Sequence, residues 1–168
     1  MTTKKWAAQR LRLYGGKKRC FAGFFNRISE IEERTGKKTC IAFGAAKFAP
    51  GGKGEVSVPT TSAYKECKTR FLTIPVDEFR TTRIWNGDKK TVLDAVERRD
   101  KEQKVRGLLW CCSTNERKCK FVNRDLNAAL NIRDCLMLDQ TNQRPDILCR
   151  SSKVKALPKM VVGRKINC

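Results

Sequence analysis

Residues Trp110–Ile132 read WCCSTNERKCKFVNRDLNAALNI. Cys111, Cys112 and Cys119 stand just ahead of Asn123-Arg124-Asp125, and Leu126–Ile132 continues as a helix with small residues on one side. Asn123 is a good N-cap, because its side-chain oxygen can accept from amides of the first turn. Asp125 then falls in that first turn, where the helix dipole favours a negative charge. On a helix, Asp125 shares a face with Ala128, Ala129 and Ile132. Two alanines beside a carboxylate let a helix approach a sheet closely, and this pattern has two readings. In one, Asp125 sits at a crowded seam between helix and sheet and holds a metal ion. In the other, it is the dipole-answering acid of a capped amphipathic helix. The helix is expected from Arg124 to about Asp139, with Leu126, Ala129, Leu130, Ile132, Leu136 and Met137 on its buried side.

Further upstream, Phe71–Val76 (FLTIPV) reads as a strand, with Pro75 near an edge or at the strand end because it removes one ladder donor. Asp77 and Glu78 follow directly. Paired acids at the end of a strand suit metal binding, and they also suit a solvated strand end. Thr39–Ala46 (TCIAFGAA) reads as a buried strand.

Cysteines followed by N-R-D-x-N-A-A-x-N-I resemble the end of the nuclease domain of the TnpB transposon-encoded proteins, and most nearly that of their eukaryotic and viral relatives, the Fanzor proteins. The resemblance implies an α/β chain with a partial RNase H-like (RuvC) fold, interrupted by a zinc ribbon, in which Asp125 is the third catalytic acid. The stretch V-D-E-F-R-T-T at 76–82 is similar to the Fanzor signature V-D-E-[FY]-R-T-S. In TnpB-type sequences the earlier strand carries the second acid, a Glu, but here that strand offers Ala42, Phe43, Gly44, Ala45 and Ala46. The resemblance implies that Glu78 replaces it, with Asp77 as a neighbour. Glu78 and Asp125 would then hold Mg²⁺ and meet within roughly 4 to 8 Å, close enough to share metal ions.

The 168 residues are enough for one domain with a core. Lys and Arg outnumber Asp and Glu by 37 to 17, a formal charge of +20. A surplus of that size points to a polyanionic partner, nucleic acid first. The chain has no histidine, which excludes Ser-His and Cys-His catalysis and leaves cysteine or carboxylate as zinc ligands. It has nine cysteines. The basic start lacks the apolar core of a signal peptide, and no apolar run is long enough for a bilayer. Reduced thiols are expected, in an intracellular, non-secreted protein that is nuclear if the host is eukaryotic and has no membrane partner.

Residues 1–19 form a basic segment in which Trp6 and Tyr14 either stack on bases or belong to an amphipathic helix ending at Gly15-Gly16. The resemblance assigns residues 20–81 to the RuvC-like part. Its helices are one over 20–34 with an aromatic core face and Gly36 as C-cap, and a short one over 62–70 capped by Ser62. Residues 82–121 correspond to a degenerate zinc-ribbon insertion, since the family's first cysteine pair is missing. Residues 88–106 are expected to be helical or frayed. Cys111, Cys112 and Cys119 are the candidate zinc ligands; two or three thiols fall short of the four that structural zinc takes, and nothing in the spacing adds Cys67 as the supplement, so clearly less than one zinc per chain is expected. Residues 122–139 are the RuvC-like terminal helix and 140–168 a loop and basic tail, within which Arg144-Pro145-Asp146-Ile147-Leu148 resembles a family R-P-x-x-L stretch.

An intact relative would cut DNA under RNA guidance by two-metal hydrolysis. Expected nucleic-acid contacts are Arg80, Arg124, Lys17, Lys18 and Arg19, with DNA and a guide RNA as partners. The strand carrying the first acid has no counterpart, and no D-x-G triplet occurs in the chain. The chain alone is therefore expected not to cut, and a complementing chain is a possible further partner. A basic, non-enzymatic DNA- or RNA-binding protein is the alternative.

Overall fold

The computed structural model describes residues 4–45, 59–100, 103–112, 119–150, 157 and 162–166. Those residues form a mixed α/β chain with three α-helices and two sheets. The chain divides into two compact units, residues 1–43 with 47–74 and residues 44–46 with 75–168.

The first unit holds α1 (Lys4–Thr35), α2 (Thr60–Arg70) and most of β1 (Cys40–Gly44) and β2 (Leu72–Val76), two strands that pair with each other. The helix read over 20–34 is the second half of α1. It begins far earlier, at Lys4, and runs through Gly15-Gly16 where a break was expected. A glycine in a helix costs only about 1 kcal/mol relative to alanine, which the long run of hydrogen bonds on both sides outweighs. Gly36 ends the helix as read: its φ is 63° and its N–H donates to the Glu32 carbonyl at 2.8 Å. The Glu32 carboxylate accepts from the Thr39 amide and so steers the chain into β1. Phe25, Cys67 and Phe71 form the core, with Phe21, Ile28, Ile41 and Phe43 packed on it. Phe24 turns outward. α2 starts two residues before Ser62, after Pro59, and has no side-chain cap, so Ser62 does not cap it.

The second unit contains β3 (Asp94–Arg98), β4 (Lys104–Cys112), β5 (Cys119–Asn123), α3 (Arg124–Asp139), a 3₁₀ turn (Asp146–Leu148) and β6 (Val162–Ile166). Residues 88–106, expected to be helical or frayed, supply β3 and the start of β4 instead. The sheet order is β5-β4-β3-β6, antiparallel between β5, β4 and β3, with β6 parallel to β3. The basic tail thus contributes a strand. Pleating sends Leu109 and Cys111 into a core with Trp85 and Leu93, against which Val122 packs. The other face carries the cross-strand pairs Trp110–Phe121 and Cys112–Cys119.

α3 has the expected limits. Its buried face matches the sequence reading only in part: Leu136 is buried as read and Leu130 and Ile132 are half-buried, but Asn127, Asn131 and Cys135 are buried too, while Leu126 and Met137 are about 60% exposed and Ala129 is exposed. The i, i+4 spacing of Asn127, Asn131 and Cys135 is itself a helical stripe, and the polar half of it has a specific task.

Candidate carboxylate site and nucleic-acid interface

Val76 ends β2 in the interior, 3% exposed, and the next residues fold into a tight knot. The Asp77 carboxylate accepts from the Phe79 amide, and the Glu78 carbonyl accepts from both the amide and the hydroxyl of buried Thr81. Arg80 takes a left-handed conformation, φ 61°, and its carbonyl accepts from the amides of Arg83 and Ile84. α3 clamps this knot. Asn127 and Asn131 each donate through Nδ2 to the carbonyls of Thr81 and Ile84 at 2.8–3.1 Å. Asn127 Oδ1 accepts from the Asn86 amide, and Asn86 Nδ2 donates to Asn131 Oδ1 and Asp134 Oδ2. Lys89 Nζ completes the set with an ion pair to Asp134 at 2.6 Å. Burial works against the Asp134 anion, but donors from Lys89, Arg133 and Asn86 outweigh it and bring its pKa down to about 2.

Glu78 is half-buried. It lies against Gly44 of β1, where an added β-carbon would stand 2.1 Å from Glu78 Oε1 and 2.5 Å from Cδ. A side chain at position 44 and the Glu78 carboxylate compete for the same space. Asp77 points elsewhere. Arg150 grips it with two bonds, Nε to Oδ2 at 3.0 Å and Nη2 to Oδ1 at 2.9 Å, and Arg144 Nη2 donates to its carbonyl at 2.6 Å. The Arg150 hydrogen bonds hold the Asp77 carboxyl below its ordinary value. The R-P-x-x-L stretch therefore anchors this corner: Arg144 also donates to the Leu148 carbonyl, and Leu148 is fully buried.

Asp125 occupies the first turn of α3, capped as read. Asn123 Oδ1 accepts from the amides of Asp125 and Leu126 at 3.1 and 2.9 Å. The crowded-seam reading is corrected, because the Asp125 side chain is 73% exposed and pairs with Arg124 at 2.8 Å. Two residues along a helix turn about 200°, so burying Asn127 sends Asp125 outward. Among the described residues, no three His, Cys, Asp or Glu side chains gather as a metal site.

The three candidate zinc cysteines do not converge. Cys111 is fully buried in the core, whereas Cys112 and Cys119 lie opposite each other on the other face, joined by a disulfide with Cα atoms 4.3 Å apart. That bond also corrects the expectation that the thiols are all reduced. Cys67 is a core residue of the first unit and accepts from the Thr73 hydroxyl.

Of the basic candidates, Arg80 stacks on Phe79 and donates to the Ile147 carbonyl, a structural task. Arg124 balances Asp125. Lys17, Lys18 and Arg19 are exposed on α1, Lys17 bonded to Ser62 Oγ and Lys18 over the Tyr14 ring. Trp6 and Tyr14 are about 60% exposed, Tyr14 with one face covered by the Lys18 ammonium. No described helix is long and apolar enough to cross a membrane. Sequence reasoning missed Asn127, Asn131, Asp134 and Arg150; the spacing of two asparagines by four within a helix was the available signal for the first two. No protein-family model matches the chain, and no curated protein matches it.

Proposed function

We propose that the chain is the C-terminal, RuvC-like portion of a Fanzor-type RNA-guided DNA endonuclease, with Glu78 and Asp125 as two of its acids, and that it binds nucleic acid but does not cut DNA alone. The observation that carries this reading is the contact between Glu78 and Gly44. The family resemblance has the later Glu stand in for an acid missing from the earlier strand, and here the Glu78 carboxylate fills the space above the glycine of β1.

The residues present do not fit a two-ion Mg²⁺ site by themselves. Two-metal hydrolysis needs several carboxylates around cations that repel each other. Asp77 and Asp125 are each neutralised by an arginine, and no third acid joins Glu78 among the described residues. The test is incubation of pure protein with Mg²⁺ or Mn²⁺ and labelled single- and double-stranded DNA, beside Asp125→Ala. No cleavage is expected; cleavage that disappears in the variant makes the chain a minimal nuclease.

The arginine partners of Asp77 and Asp125 also favour a second reading, a non-enzymatic nucleic-acid-binding protein whose acids are structural. Adding a chain that carries a D-x-G strand separates the two, since only the nuclease reading expects activity to appear.

A further inference from the structure

Tyr14, Lys17 and Lys18 on α1 face Ser62, Lys65 and Glu66 on α2 across an open groove of about 280 Å³ within the first unit. Each trio has i, i+3, i+4 spacing and so occupies one face of its helix. Three ammonium groups stand against one carboxylate, which makes the groove a site for an anion. Lys17 Nζ donates to Ser62 Oγ at 3.0 Å, leaving the serine its own proton to donate. Tyr14 is 58% exposed, with the Lys18 ammonium over one face of its ring, so a base would stack on the other face. Glu66 uses Oε1 for Arg70, at 3.0 and 3.2 Å, and a carboxylate only accepts hydrogen bonds.

These groups match the parts of one nucleotide. The lysines and the Ser62 hydroxyl suit a phosphate, and the tyrosine ring suits an unpaired base. An acid inside a cationic groove suits a neutral donor, and the ribose 2′-hydroxyl is the donor that deoxyribose lacks. A duplex keeps its bases stacked away from Tyr14, and a second copy of α1 would bring like charges. Resting on the reading that the chain works on nucleic acid, we propose that the α1–α2 groove binds one nucleotide of single-stranded RNA, with its phosphate on Lys17, Lys18, Lys65 and Ser62, its base on Tyr14 and its 2′-hydroxyl donated to Glu66.

The test is fluorescence anisotropy of the full chain with a labelled oligouridine and the matching oligothymidine, each across a salt series. RNA binds more tightly than DNA. Lys17→Gln and Lys65→Gln each weaken RNA binding and lower the salt slope by about 0.7, the share of one phosphate contact on a single strand. Tyr14→Leu weakens RNA binding at least five-fold, and Glu66→Gln removes the preference for RNA over DNA. Lys104→Gln, which deletes one charge from β4 in the other unit, leaves that preference intact. All the altered side chains sit on helix or strand surfaces, and circular dichroism checks their folding. Wild-type protein that binds RNA no better than DNA, or Lys17, Lys65 and Glu66 variants that bind RNA as the wild type does, overturns the groove proposal while leaving nucleic-acid binding standing. A wild-type chain that binds neither strand at low salt overturns both.

Discussion

The carboxylate of Glu78 lies where the side chain of residue 44 would be, with 2.1 Å between Oε1 and a β-carbon built on Gly44. The glycine is thus matched to an acid from the turn that follows β2. Gly44→Ala should displace the Glu78 side chain while leaving the fold in place, because the clashing atoms are the far end of a flexible chain. Carboxyl-carbon NMR provides the check. The Glu78 resonance should move most, and an unchanged resonance would place the carboxylate elsewhere.

Asn127 and Asn131 share the carbonyls of Thr81 and Ile84. Replacing either by Ala should cost about 1–3 kcal/mol, the range for leaving buried polar groups short of a partner. The double variant should depart from the sum of the two, since each carbonyl then loses both donors. Urea unfolding measures this, and strict additivity would mean the two side chains act independently.

The Asp134 pKa, lowered from 3.8 to about 2, gives the fold an acid-side dependence. A carboxyl depressed in the folded state contributes stability above its unfolded value and loses it as pH falls through the folded one. The shift corresponds to about 2 kcal/mol, lost between about pH 4 and 2. Lys89→Gln should flatten that part of the stability–pH curve. A variant curve parallel to the wild type's would rule out the Lys89–Asp134 pair as its source.

Zinc should bind at clearly less than one equivalent per chain, and Cys111→Ala should not change the amount. In denatured, unreduced protein, Cys112 and Cys119 should resist thiol labelling until reductant is added. A full zinc equivalent that depends on Cys111 would overturn the opposed placement of these cysteines.

Local signals were legible in the sequence. The Asn123 cap, the limits of α3, the strand positions of β1 and β2, and Gly36 as a terminator all appear as read. What escaped depends on distant partners. Residues 88–106 carry so many charges that no alternating pattern stands out, and β3 is held by β4 on one side and by β6 from the far end of the chain on the other. The buried face of α3 escaped because apolar residues were assigned inward, whereas the backbone carbonyls of Thr81 and Ile84 required amide donors there. The site was legible as two acids in motifs, but not the arginines beside Asp77 and Asp125.

The parallel pairing of β6 with β3, with Val162 opposite Ala95, has a consequence for the order of assembly. β4 zips onto β3 and β5 onto β4, each the next strand along the chain, but β6 must bring back a long stretch of chain to reach β3, at a loop-closure entropy that grows with its length. β3 therefore spends the early part of folding as an edge, open to pairing with another chain. In pulsed hydrogen exchange the amides of Arg164–Ile166 should become protected last in their unit, and refolding yield should fall as protein concentration rises, because a neighbouring molecule competes for the place that β6 fills.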